Sequence, residues 1–126
     1  MRQLIAIALA GALGTLGRYG LSGVVQRVGR ASFPLGTLAV NLVGCLLIGI
    51  VMELVREHPM LSPQTRSVLV VGFLGGFTTY SAFGYETTEL LRGGGVALAA
   101  LNVGAHVVLG VLAVVAGAAA VRAVGL

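Results

Sequence analysis

Four long apolar runs, separated by short stretches that hold much of the charge, leave this chain few ways to fold. They extend from about Leu4 to Val28, Phe33 to Val55, Pro63 to Leu91 and Val96 to Val124. Each exceeds the roughly 20 residues a helix needs to cross about 30 Å of hydrocarbon. The 126 residues are 57% hydrophobic and only 10% charged, with a mean hydropathy of +1.02. Soluble proteins carry roughly 25% charged residues, and a soluble domain of this length lacks the interior to hide so much apolar surface. The pattern predicts an all-α membrane protein: one domain of four transmembrane helices (4–28, 33–55, 63–91 and 96–124), with loops too short to fold separately.

There is no Asp, Lys or Trp, so the charge rests on eight arginines and four glutamates, net +4 with pI ≈ 10.2. The arginines occur singly rather than in a stripe, which argues against nucleic acid and for anchors flanking a membrane. The second run opens at Phe33-Pro34, where proline is harmless in a first helical turn. It closes at Glu53, Arg56, Glu57, His58 and Pro59. Cys45 is the only cysteine, which excludes an intrachain disulfide and a cysteine metal cluster. Arg2 before an apolar run resembles a signal peptide, but the run outlasts a normal h-region and three more spans follow, so it reads as a retained span.

With four spans, both termini and the middle loop share one side, which carries Arg2, Arg56, Arg66 and Arg122. The other side carries Arg27, Arg30 and Arg92, with Arg18 near that end of the first span. The positive-inside bias is close to nil. A chain without bias is free to insert both ways, and two opposed copies would form an antiparallel dimer. The competing reading is that one or two arginines suffice to fix a single orientation.

Small residues recur at packing intervals: Gly11, Gly14, Gly17, Gly20 and Gly23, with Ala6, Ala10 and Gly14 as a second stripe and Gly72 and Gly76 as GxxxG. They predict close helix contact. The third run is different, because Gly75-Gly76-Phe77-Thr78-Thr79-Tyr80-Ser81-Ala82-Phe83 interrupts it near its middle. Backbone groups freed from a helix in hydrocarbon have no water to bond, and such breaks are tolerated where they line a cavity or hold an ion. Carbonyl oxygens at an unwound turn can coordinate a hard cation such as Na⁺. After the break, Tyr80, Phe83 and Thr87 share one helical face, and Ser81, Tyr85 and Thr88 a neighbouring one. Aromatic rings have electropositive edges that can face an anion; the plainer reading is core aromatics beside a kink.

Other polar residues lie inside the apolar runs. Asn41, a third of the way along the second span, either bonds a neighbouring helix or lines a pathway. Asn102 and His106 stand four apart on one face of the fourth span, with Gly110 a turn further. Glu86 and Glu89 near the end of the third span read as interfacial anchors, or Glu86 edges an ion route. Arg18, inside its span, either snorkels outward or draws anions into a vestibule.

The interrupted segment resembles the Gly-Gly-x-Thr-Thr-Phe-Ser-Thr-Phe signature of the Fluc/CrcB fluoride channel family. The likeness covers essentially the whole chain, including Gly17-Arg18-Tyr19 and Phe33-Pro34-x-Gly36-Thr37-x-x-x-Asn41-x-x-Gly44. It implies a passive channel, not an enzyme, that exports fluoride across a bacterial cell membrane and relieves fluoride toxicity. The expected assembly is an antiparallel, dual-topology homodimer in the lipid bilayer, with two pores and a structural Na⁺ at the dimer interface. By the same resemblance the main-chain carbonyls of Gly75 and Thr78 would hold the Na⁺. Asn41, Tyr80, Ser81, Phe83, Asn102 and His106 would line the fluoride pathway, and Arg18 its vestibule. Tyr80 stands where the family usually has phenylalanine, Ala82 where it has threonine, and Gly84 where serine is frequent. These changes keep the ring edge but thin the track of hydroxyls, and predict slower conduction rather than its loss.

A proton-coupled small multidrug exporter is the competing class, since those proteins are also short, four-spanned and often dual in topology. They generally rely on a glutamate in the first span, and this chain has none before Glu53. A purely structural subunit would explain the glycine stripes but not the hydroxyl-rich break.

Overall fold

The computed structural model describes residues 1–29, 32–57 and 61–125. Arg30, His58 and Pro59, expected to flank spans, lie outside the described residues. Four helical segments are long and apolar enough to cross a membrane: Arg2–Gly29, Leu35–Glu57, Pro63–Arg92 and Val96–Val124. The first two are unbroken helices, α1 (Arg2–Gly29) and α2 (Leu35–Glu57). The third is composite: α3 (Pro63–Ser67), a π-helical stretch Val68–Leu74, α4 (Gly75–Phe77) and α5 (Tyr80–Arg92). The fourth is α6 (Val96–Val124).

Local chemistry sets the ends. Ser62 caps α3 by accepting from the Thr65 amide at 3.1 Å, and Pro63 follows at the first helical position. At the far end of α5 the chain reverses through Gly93-Gly94-Gly95. Gly94 takes φ 77°, a left-handed conformation open to glycine, and Gly95 N–H donates to Leu90 O at 2.8 Å.

Packing follows the small residues. A Cβ on Gly14 would strike the Phe73 carbonyl, and one on Gly76 the Gly11 carbonyl, so α1 lies directly against the backbone of the π-helical stretch and α4. The α2–α6 pair is the most extensive in the molecule. It closes through Gly49 against the Val114 carbonyl and Gly117 against the Leu46 carbonyl, two glycines the periodicity did not single out. Gly20 and Gly23, by contrast, face open space, so the three-residue glycine rhythm of α1 has a packing use only in its first half. Long apolar side chains such as Leu9, Leu13, Val107 and Val111 point outward, as helices facing lipid require.

The third span is broken as the sequence predicts, but not at the glycines. Gly75 keeps helical angles (φ −63°, ψ −36°), and Gly75–Phe77 remain helical. The break is confined to Thr78 (φ −83°, ψ 159°) and Thr79 (φ −148°, ψ 113°), both extended. Gly72 and Gly76 are taken up by contact with α1, which holds that turn wound. The π-helical stretch just before it has no counterpart in the sequence reading; such wide turns shift the register of every side chain that follows.

Candidate functional site

Breaking a helix at two residues frees backbone donors and acceptors, and Asn41 on α2 takes up one residue's worth. Its Nδ2 donates to Thr79 O at 3.0 Å, and its Oδ1 accepts from Thr79 N–H at 2.8 Å. The amide thus mimics a peptide group and pins Thr79, a buried residue, against α2. Thr79 then starts α5, its Oγ1 accepting from Ala82 N–H at 3.3 Å. Diverting the Thr79 amide to Asn41 removes the donor that would close the helical bond to Gly75 O. Thr78 stands one residue before the cap, so its carbonyl is outside the α5 ladder too.

Two cavities meet at Thr79. The first, about 420 Å³, is lined by Asn41, Gly75, Thr78, Tyr80, Phe83 and His106, together with Cys45 and apolar neighbours. No charged side chain among the described residues lines it. The ring of Phe83 lies 5.6 Å from Tyr80, tilted 50°, and 4.4 Å from the His106 imidazole, tilted 43°. Tyr80 is 84% exposed, so this flank of the site is open on the isolated chain. The second cavity, about 470 Å³, is lined by Thr15, Arg18, Tyr19, Ser22, Thr37, Ala82 and Glu86, with Thr79 common to both.

Six of the nine residues singled out in the sequence thus converge on the first cavity: Gly75, Thr78, Asn41, Tyr80, Phe83 and His106. Arg18 belongs to the second. Ser81 lines neither cavity; it is exposed, with its hydroxyl 3.4 Å from that of Thr79. Asn102 also lines neither and is fully buried, donating from Nδ2 to Thr87 Oγ1 at 3.0 Å. Its carbonyl accepts from His106 Nδ1 at 2.9 Å, so it stands behind the histidine.

The two glutamates of α5 part company. Glu89 pairs with Arg92 at 2.8 Å on the exposed surface. Glu86 accepts from Thr37 Oγ1 at 2.6 Å through Oε1, while Oε2 is enclosed with no hydrogen-bond partner among the described residues; Glu86 lines the second cavity. Three features escaped the sequence reading: Thr79 as the pivot, Thr37 as the partner of Glu86, and Thr87 as the hydroxyl that anchors Asn102. Thr37 and Asn41 stand four apart on α2, and that spacing was the available signal. Glu53, one of the residues that close the second apolar run, turns inward. It is buried and accepts from Arg122 at 3.0 Å, with Arg56 at 3.6 Å.

Comparison with known proteins agrees with this architecture. The family model described as CrcB-like protein, Camphor Resistance (CrcB), matches residues 5–118. A fluoride-specific ion channel FluC of Maridesulfovibrio salexigens is 44% identical over 119 residues, 94% of each chain. One from Geobacter sp. strain M21 is 52% identical over 103 residues, 82% of this chain and 83% of its own. One from Geobacter sulfurreducens is 46% identical over 122 residues, 97% of this chain and 98% of its own. The relatives bear the names of ion channels, not of enzymes. With its family model and relatives spanning most of the sequence, and with four helices of membrane-crossing length, the chain belongs to the CrcB-like family of multi-pass bacterial membrane proteins.

Proposed function

We propose that this chain is a fluoride-selective passive channel that lets fluoride leave the cell and so relieves its toxicity. Two copies in opposite orientation form the working dimer, with two pores. The observation that carries the reading is the convergence of Asn41, Tyr80, Phe83 and His106 on one uncharged cavity beside a broken helix. Fluoride is small and strongly hydrated, so a pathway must replace its water without binding so tightly that exit stops. Asn41 spends one Nδ2 hydrogen on Thr79 and retains a second. The rings of Phe83 and Tyr80 supply electropositive edges. Ser81 supplies a hydroxyl from a surface that a second copy would cover, and Asn102 supports His106 from behind. Arg18, at the second cavity, raises the local anion concentration in a vestibule.

The donor set also fits a Na⁺. Gly75 and Thr78 border the same cavity, and the carbonyl of neither is claimed by the regular helical pattern at the break. They are neutral, hard oxygen ligands of the kind Na⁺ prefers. Two carbonyls are half a coordination shell, which a second, inverted copy would complete. When bound, the ion would offset the cost of carbonyl dipoles facing one another in low dielectric and tie the two copies together.

The test is purified protein in liposomes loaded with potassium fluoride, with a fluoride electrode following release after valinomycin. Rapid, valinomycin-dependent release of fluoride but not chloride is expected. Phe83→Ile, which removes the ring edge, is expected to abolish release while the protein stays folded. Release no faster than from empty liposomes, together with drug uptake driven by a pH gradient, would overturn the reading in favour of a multidrug exporter.

A further inference from the structure

A cleft outside the fluoride site lies where the first and third spans begin. It measures about 440 Å³ and is lined by Arg2, Gln3 and Ala6 of α1, Gln64 and Thr65 of α3, and Val68. The two spans run parallel, since Gly72 packs on Ile7, Gly76 on Gly11 and Phe77 on Gly14. Their first residues therefore stand at one level. Both segments are long and apolar enough to cross a bilayer, which puts the cleft at the membrane–water boundary, the depth of lipid phosphates.

The cleft gathers donors without a counter-charge. The guanidinium of Arg2 and the carboxamides of Gln3 and Gln64 have no hydrogen-bond or ion-pair partner among the described residues. Thr65 Oγ1 lies 2.9 Å from Ser62 Oγ, and with Ser62 donating, the Thr65 hydrogen is free for a ligand. No carboxylate among the described residues lines the cleft to receive the ammonium of a zwitterionic headgroup. Arg66, the other cation of α3, lines a separate cavity with Ser67 and Val71. Deeper in the membrane the surface turns apolar. Arg2, Ala6, Leu9 and Leu13 fall on one face of α1, and Leu9 and Leu13 are exposed. A free phosphate gains nothing from such a face, whereas an acyl chain does.

We propose that this cleft binds the phosphate of an anionic phospholipid headgroup, of the phosphatidylglycerol kind, and so bridges the starts of the first and third spans. Arg2 meets the phosphate oxygens with its forked N–H groups. Gln64 and Thr65 donate from the other helix, and an acyl chain lies along Leu9 and Leu13. The bridge ties α1 to the span that carries the break at Thr78 and Thr79. Stability of the folded chain then depends on headgroup charge, whichever ion the protein conducts.

The experiment measures the unfolding temperature of the full chain in neutral detergent micelles as phosphatidylglycerol, phosphatidylcholine or inorganic phosphate is added. Phosphatidylglycerol is expected to raise it for the parent, and the other two at equal concentration to leave it unchanged. Arg2→Ala should raise the phosphatidylglycerol concentration for half the effect by about fivefold, the worth of one interfacial cation. Adding Gln64→Leu should take the loss to about tenfold or more. Arg66→Ala, which removes the same charge outside the cleft, should stay within about twofold of the parent. A parent that responds alike to phosphatidylglycerol and phosphatidylcholine overturns the proposal without any variant. An equal loss in Arg66→Ala also overturns it, by reducing the effect to general surface charge. Stabilisation by inorganic phosphate that Arg2→Ala abolishes would make the cleft a free-anion site and overturn the lipid assignment.

Discussion

Asn41→Ala separates what the asparagine does for the fold from what it does for the ion. The substitution deletes both bonds to Thr79, at 3.0 and 2.8 Å, and leaves its buried backbone N–H without a partner, while its carbonyl keeps the first helical bond of α5. An orphaned buried group costs about 1–3 kcal/mol. Interhelical hydrogen bonds in membranes are often worth only about 0.6 kcal/mol, because the unfolded chain finds other partners in the bilayer. The low end, about 1 kcal/mol, is therefore the expected loss, measured by denaturant-driven unfolding in detergent micelles. Fluoride release should vanish as well. Asn41→Asp tests the two roles apart, since its carboxylate still accepts from the Thr79 amide but offers no donor to an anion. It should recover part of the stability and none of the conduction. Were Asn41→Ala to unfold within about 0.5 kcal/mol of the parent, the clamp on the helix break would carry no weight and the argument from Thr79 would fail.

Further outcomes follow from the packing and the charges. Gly117→Ala should destabilise by at least about 2 kcal/mol in the same unfolding assay, because the added methyl meets the backbone of α2 at Leu46 and Ile50. Gly20→Ala and Gly104→Ala, whose Cβ atoms would meet nothing within 4 Å, should be neutral or stabilising by up to about 1 kcal/mol. Arg122→Ala should cost more stability than Glu53→Gln. The first leaves a buried carboxylate with only Arg56 at 3.6 Å, whereas the second leaves a half-exposed guanidinium that water can solvate. Replacing Na⁺ by a larger organic cation should lower the unfolding temperature of the parent. If the carbonyls of Gly75 and Thr78 hold the ion, the drop should follow its affinity, about 2.7 kcal/mol at a hundredfold excess over Kd.

The four helices were legible because bilayer thickness and apolar run length speak directly to each other. The observed spans begin and end within about two residues of the expected ones. Close helix contact at Ala10, Gly14, Gly72 and Gly76 was legible because these residues are small where two backbones meet, though not that it joins α1 to the third span. The α2–α6 seam was not, because Gly49 and Gly117 are single glycines whose use depends on which helix lies opposite. The pairing of Glu53 was hidden for the same reason, since its partner Arg122 is sixty-nine residues away.

The site was legible in its membership more than in its mechanics. Pairing glycines with threonines marked a break, yet the glycines stay helical and only Thr78 and Thr79 extend. What decides this is tertiary: α1 presses on Gly76, while Asn41 offers the Thr79 N–H the acceptor that a helix would have given it and adds a donor to its carbonyl. No local propensity encodes that exchange, because the substitute peptide group comes from another helix. The consequence reaches the chemistry. Once Thr79 N–H bonds to Asn41, the oxygen of Gly75 loses its helical donor, so the residue proposed to meet the anion would also free a ligand for the proposed Na⁺. An asparagine bound to a helix break is thus more than glue between helices: it holds Thr79 in the break and takes the helical donor from the Gly75 carbonyl.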